Sequence, residues 1–324
     1  MKKLILSAAI LATLASCNYN NTIATNYEAI QFGNNFVENS VRAAQDPSYN
    51  NTTLKSFNVY GTVNGADDNP VAIFNGEAVS GTVGANSVWT CTKTQYWIAG
   101  AEYNFAAVVD ANDVNLGENL LPETLEYTAD GSTDLLYARS EEDIVGKVSG
   151  NGLVAFEFAH LLSKVKFTVK NSTAVSDYKY TVKDITISDA YATGVYTIGN
   201  ATPWEGDGTY PTVFGTIADV TCVSKDTKSG VEGSGVECAE EKLLIPGKTT
   251  LKVEFTVDLY YNNSLMNSTA YTGNNAKVVT IDGGLLPGNA YNITLALGLE
   301  NPIQFTVETA PGWTDAANNP SVDL

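Results

Sequence analysis

The sequence predicts an all-β chain, two tandem β-sandwiches behind a lipoprotein signal peptide. Three observations carry this. Short runs alternate apolar and polar residues, as a strand with one buried face must: Phe57-Asn58-Val59-Tyr60-Gly61, Tyr103-Asn104-Phe105-Ala106, Lys164 to Val169 and Lys252 to Val257. Turn-forming clusters separate them: Asn64 to Pro70, Gly206-Asp207-Gly208, Pro246-Gly247 and Pro287-Gly288. After residue 17 no long stretch keeps a helical period. Runs rich in Val, Thr, Tyr and Phe at this spacing fit sandwiches.

At roughly 150 residues per domain, 324 residues suggest about two domains. The turn Gly150-Asn151-Gly152 places a break near 150–163. The expected organisation is a signal peptide at 1–16, a lipidated segment with a removable first strand at 17–50, and sandwiches at 51–160 and 161–324. Residues 110–147 are the least regular and are expected to hold a short helix or a long loop.

The signal peptide is read from Lys2 and Lys3, the apolar run Leu4 to Leu14, and the box Leu14-Ala15-Ser16-Cys17. The run is too short to span a bilayer, and small residues before a Cys suit lipoprotein processing. Cys17 would then carry the lipid, palmitate included. Asn18 rather than Asp follows it, which points to the outer membrane. Lys+Arg 18 against Asp+Glu 36 gives −18, and loss of Lys2 and Lys3 takes this to −20. Such a balance argues against nucleic acid, whose phosphates demand a basic surface, and against a basic membrane-surface helix.

Beyond Cys17, three cysteines remain. Cys222 and Cys238 flank a polar, glycine-rich stretch and are the natural pair in an oxidising compartment. Their bridge would close a loop worth on the order of 3 kcal/mol in the chain-entropy model. Three free thiols are the other reading. Cys91, beside Trp89, is expected to be a small buried hydrophobe.

Catalytic chemistry has no foothold. His160 is the one histidine; alternation puts it on one face with Phe156 and Phe158, as a hydrogen-bonded core residue. There is no nucleophile elbow, no phosphate-binding loop and no EF-hand spacing. No catalytic residue, metal site or cofactor is expected. The acidic clusters Asp67-Asp68, Asp110 to Asp113 and Glu141 to Asp143 read as solvated loops. The tryptophans Trp89, Trp97, Trp204 and Trp313 read as core anchors, with a sugar-stacking platform as the alternative.

Taken in order, certain residues resemble a known family. Trp89, Tyr96-Trp97, Gly100 and Tyr103 to Ala106 come first, then Asp134 to Ala138. Next come Phe156-x-Phe158-x-His160-x-Leu162-Ser163-Lys164-Val165-x-Phe167, then Ile185-Thr186-Ile187 with Gly194-Val195-Tyr196. Leu243 to Gly247, Leu286 to Ile293, Ile303-x-Phe305-x-Val307 and Trp313 complete the series. This ordered set, spanning about residues 23–314 behind a lipobox, is similar to the fimbrillin family of type V pilins. The resemblance implies two transthyretin-like, Greek-key sandwiches in a secreted lipoprotein precursor. It implies that a protease cuts after an arginine near the N-terminus, and that a neighbour's strand fills the groove so opened.

Arg42 is the one arginine before the first domain strand, Phe57 to Tyr60, so Arg42 and Ala43 are the expected processing site. Upstream, Ala29-Ile30-Gln31-Phe32 has strand alternation, with Ile30 and Phe32 facing the core. The expected donor strand carries Ile303, Phe305 and Val307. The partners implied are other pilin subunits, the outer membrane through the lipid before processing, and ligands on host or bacterial surfaces. Two readings stay open: a stalk or tip subunit of a fimbria supporting adhesion, and a monomeric, lipid-anchored glycan-binding protein.

Overall fold

The structure, a computed structural model, describes residues 27–33, 36–37, 48–51, 53–64, 69–83, 88–173, 177–221, 236–237, 240–299 and 303–311. These residues are organised as β-strands, with a single 3₁₀ turn at Gly273–Asn275. They fall into two compact units. One lies within Met1–Val37, Asn51–Leu125 and Leu136–Ala159, the other within Glu38–Asn50, Glu126–Leu135 and His160–Leu324.

The first unit contains β1 (Phe32–Gly33), β2 (Phe36–Val37), β3 (Ser56–Asn64), β4 (Pro70–Ser80), β5 (Val88–Cys91) and β6 (Glu102–Val109). It continues with β7 (Asp113–Leu116), β8 (Pro122–Thr128), β9 (Leu136–Arg139), β10 (Ile144–Val145) and β11 (Glu157–His160), the ends of β8 and β11 belonging to the second unit. Among the described residues, nine strands form one sheet in the order β1-β5-β4-β3-β6-β9-β11-β2, with β10 against β6. Alternation along β3 and β6 sends Phe57, Val59, Tyr103 and Phe105 inward. On β3, Gly61 makes room for the rings: a Cβ there would lie 2.6 Å from Phe105 and 3.0 Å from Phe74.

Residues 110–147 depart from expectation. They form β7, β8, β9 and β10 rather than a helix or a long loop. Their strands are short and interrupted by Asp, Asn and Gly, which dilutes the period, although Leu125 and Tyr127 on β8 are buried at alternate positions as a strand requires.

The second unit is a sandwich. It contains β12 (Ser163–Asn171), β13 (Tyr178–Ile187), β14 (Thr193–Thr197), β15 (Trp204–Asp207), β16 (Thr212–Thr221) and β17 (Val236–Glu237). Then follow β18 (Lys242–Leu244), β19 (Thr250–Tyr261), β20 (Ser264–Tyr271), β21 (Lys277–Thr280), β22 (Asn289–Leu297) and β23 (Gln304–Pro311). One sheet has the order β17-β12-β22-β23 with β18 on β12; the other has β16-β13-β19-β20 with β21 on β19. Between them lies one core, with Val165, Phe167, Ile293 and Leu295 from the first sheet and Val182, Phe214, Val253 and Phe255 from the second. β12 and β22 run parallel over eight registered pairs, from Lys164↔Ala290 to Asn171↔Leu297. Their outward faces are also buried, and there Thr168 Oγ1 donates to Asn292 Oδ1 at 2.8 Å.

His160 belongs to this unit as a structural residue. Its Nδ1 lies 2.7 Å from Asp134 Oδ2, and the same carboxylate oxygen accepts the Tyr49 N–H at 3.0 Å. Both ionisable side chains are almost wholly buried. Trp204 anchors the same unit, donating its indole N–H to the Leu161 carbonyl at 2.7 Å.

Candidate functional site

The segment from Glu28 to Val37 is bonded differently on its two flanks. On the first flank it runs antiparallel to residues 88–97. The Trp97 N–H donates to the Glu28 carbonyl at 2.9 Å, and the Ile30 N–H donates to the Gln95 carbonyl at 2.8 Å. Phe32 then stands opposite Trp89, and Gly33 opposite Val88. On the second flank it runs parallel to residues 154–158. The Val154 N–H donates to the Gln31 carbonyl at 2.8 Å, and the Gly33 N–H to the Val154 carbonyl at 3.0 Å. β2 continues this flank, with Phe36 opposite Glu157 and Val37 opposite Phe158.

β1 and β2 are therefore the two ends of the nine-stranded order, and they belong to one short segment. That segment caps the edge of β5 and the edge of β11 together. Without it both edges would present unpaired N–H and C=O groups.

Side-chain packing fits the same role. Ile30 is buried, Gln31 exposed and Phe32 fully buried. The Phe32 ring stacks on Phe156 at 6.0 Å and meets Phe74 edge-on at 5.4 Å, Phe105 at 6.1 Å and Phe57 at 6.4 Å. Glu28 pins the start of the segment: its Oε2 accepts the Asn151 main-chain N–H at 2.9 Å and the Asn151 side-chain amide at 2.8 Å. These bonds, the main-chain one foremost, hold the Glu28 carboxyl below its ordinary range.

At the far end of the chain, β23 is an edge strand. Among the described residues it pairs with β22 alone, antiparallel, from Asn289↔Pro311 to Ala296↔Gln304. Ile303, Phe305 and Val307 turn toward the core of the second unit, and all three are only half-buried. With Val279 and Thr280 of β21 they line a groove of roughly 490 Å³. The expected donor residues thus lie in their own chain's sheet, on one ladder.

Cys17, Arg42, Ala43, Cys222, Cys238 and Trp313 lie outside the described residues. Their neighbours are informative in one case: Ser48 and Asn50, a few residues after Arg42, are buried in the second unit with Tyr49 between them. Cys91 is a free thiol, half-buried rather than buried as expected, because it closes the short β5 where the pairing with β4 ends. Burial pushes its pKa up. Trp89, Trp97 and Trp204 are buried, which removes them from any sugar-stacking platform. Among the described residues no cluster of three metal-ligating side chains occurs, and no helix is long and apolar enough to cross a membrane.

The Cys222–Cys238 bridge is a proposal with a direct check. Thiol labelling of the non-reduced protein is expected to modify Cys91 alone among these three; labelling of Cys222 and Cys238 as well would reject the bridge.

A family model described as fimbrillin-like matches residues 42–312. A fimbrial protein from Bacteroides vulgatus has a similar fold, with a TM-score of 0.55 at 17% identity, over 81% of this chain and 94% of the other. A fimbrial assembly protein from Parabacteroides distasonis aligns with a TM-score of 0.44 at 13% identity, over 87% of this chain and 95% of the other. No curated protein matches. The family is a structural rather than an enzymatic one. With the match extending over most of its length, the chain belongs to the fimbrillin-like family.

Proposed function

We propose that the chain is a subunit of a surface fimbria, exported as a lipoprotein and polymerised by donor-strand exchange after its first strand is cut away. The observation that carries this reading is the two-flanked capping of the first unit's sheet by residues 28–37. In a precursor monomer the segment protects two strand edges and fills the aromatic core with Ile30 and Phe32. Arg42 follows it within a few residues. Cleavage between Arg42 and Ala43 severs the segment from the body, so its departure leaves the cut chain with a groove lined by Phe57, Phe74, Phe105 and Phe156. An exposed groove with two open edges is a strong acceptor for an extended strand. The donor is the Ile303, Phe305 and Val307 strand of a second copy. Contacts of this kind are head-to-tail and build open filaments.

The lipid on Cys17 leaves with the excised segment, so it delivers the precursor to the outer membrane and is absent from the polymerised subunit. Partners of the mature subunit are other pilin subunits and, through adhesion, ligands on host or bacterial surfaces.

Arg42→Ala tests the reading. In cells, the variant is expected to persist as a longer monomer that carries a fatty-acid label at Cys17, and the detergent-resistant ladder of the wild type is expected to vanish. Mass spectrometry should find Ala43 as the mature N-terminus of wild type only. A ladder that persists in the variant, with Ala43 never seen as an N-terminus, would overturn the assignment.

A further inference from the structure

The strand that leaves and the strand proposed to replace it share a tripeptide. Ile30-Gln31-Phe32 recurs as Ile303-Gln304-Phe305, and these two copies hold two of the four glutamines in the whole chain. The exposure pattern recurs as well: Gln31 and Gln304 are exposed, and the flanking apolar residues turn inward. We infer that Ile303-Gln304-Phe305 of one copy enters the groove of another in the polarity and register of Ile30-Gln31-Phe32, seating the Phe305 ring where Phe32 leaves. The inference rests on the donor-strand reading above and adds the donor's direction and alignment.

Both flanks accept that alignment. The groove bonds its strand through main-chain groups, so the ladder asks only that N–H groups fall at the right places. Ile303 in the place of Ile30 offers an N–H to the Gln95 carbonyl. Thr306 in the place of Gly33 offers one to the Val154 carbonyl, and Gly33 is not among the glycines with positive φ. Pro302 falls at Ala29. There the antiparallel flank is bonded through the Glu28 carbonyl and the Ile30 N–H, so a proline forfeits nothing on that side.

Burial gives the direction of exchange. In its own unit Phe305 is half-buried, its ring centroid lies 6.1 Å from that of Phe255, and among the described residues its strand has one ladder. In the groove the same ring would meet four aromatic rings, and its strand would have a ladder on each side. Two other segments share the aliphatic-polar-Phe pattern with a β-branched first residue, Val165-Lys166-Phe167 and Val253-Glu254-Phe255. They lie on β12 and β19, each paired on both sides within the second unit, and cannot leave without dismantling its core.

The test uses the full chain cut after Arg42 by an arginine-specific protease, with a synthetic peptide of residues 301–311 as competitor. The peptide is expected to block ladder formation. The same peptide with Phe305→Ala is expected to be weaker by roughly a hundredfold, the consequence of losing a buried phenyl ring. A photoreactive phenylalanine at 305 should cross-link to Phe57, Phe74, Phe105 or Phe156, and one at 304 should not. Equal potency of the Phe305→Ala peptide, or cross-links to these residues from 304 and not from 305, would overturn the register while leaving strand exchange standing. A correctly cut chain that forms no ladder would overturn donor-strand exchange itself. Because the peptide carries the substitutions, folding of the subunit is not at stake in either arm.

Discussion

Phe32→Ala is expected to destabilise the first unit by about 3–5 kcal/mol, the range for truncating a large buried aromatic side chain. The ring is fully buried and in contact with four others held by β3, β4, β6 and the residue before β11. Three of these neighbours come from separate strands of one sheet and the fourth, Phe156, from the residue leading into β11, so they cannot close over the void without shifting the sheet. A melting temperature lower by roughly 10 °C is expected in the uncut chain. Gln31→Ala, on the exposed side of the same strand, should change it little. If Phe32→Ala moved the unfolding midpoint no more than Gln31→Ala does, the first strand would not be part of the core. The same variant should also lose its first strand more readily after cutting, so detergent-resistant ladders should appear sooner.

Asp134→Ala is the second large effect, this time in the other unit. Its carboxylate takes hydrogen bonds from the His160 ring and from the Tyr49 main chain, and its side chain has no exposed surface. Removing it takes an acceptor from two donors at once. The expected loss is about 3–5 kcal/mol, comparable with breaking a buried ion pair by deleting one partner. Asp134→Asn retains one acceptor and should cost less. Urea unfolding followed by the fluorescence of Trp204, with the other tryptophans replaced by phenylalanine, would measure both. A loss under about 1 kcal/mol for the alanine variant would show that the pair is dispensable. A further readout is local: Tyr49 lies just beyond Arg42, so Asp134→Ala should raise proteolysis of residues 43–51 in the processed chain.

Alternation makes much of this fold legible in the sequence. Ile30 and Phe32 inward with Gln31 outward, and Phe156, Phe158 and His160 on one face, follow from the two-residue period alone. So does the inward set of β19. What the period cannot reveal is pairing. That Gln31 bonds Val154 and Ile30 bonds Gln95 depends on contacts between residues far apart along the chain, about which local sequence is silent. The parallel match of β12 with β22 is hidden for the same reason. The strands between 113 and 145 are too short for a period to emerge from their turn residues. Cys91 defies the expectation of burial because an apolar neighbour, Trp89, says nothing about where a strand ends. The twin Ile-Gln-Phe is visible in the letters, but it acquires meaning only once one copy is seen fully buried between two flanks and the other half-buried on one.

The antiparallel flank on one side of residues 28–33 and the parallel flank on the other also carry a mechanical consequence. A force drawn along such a strand loads every hydrogen bond of both ladders in shear, and they must fail together. An edge strand such as β23, pulled away sideways from β22, peels one bond at a time. A joint built in this groove would therefore resist tension along its length far better than the same residues resist it in their own sheet. A filament whose every link is of the first kind would hold under flow and yield first elsewhere in the subunit.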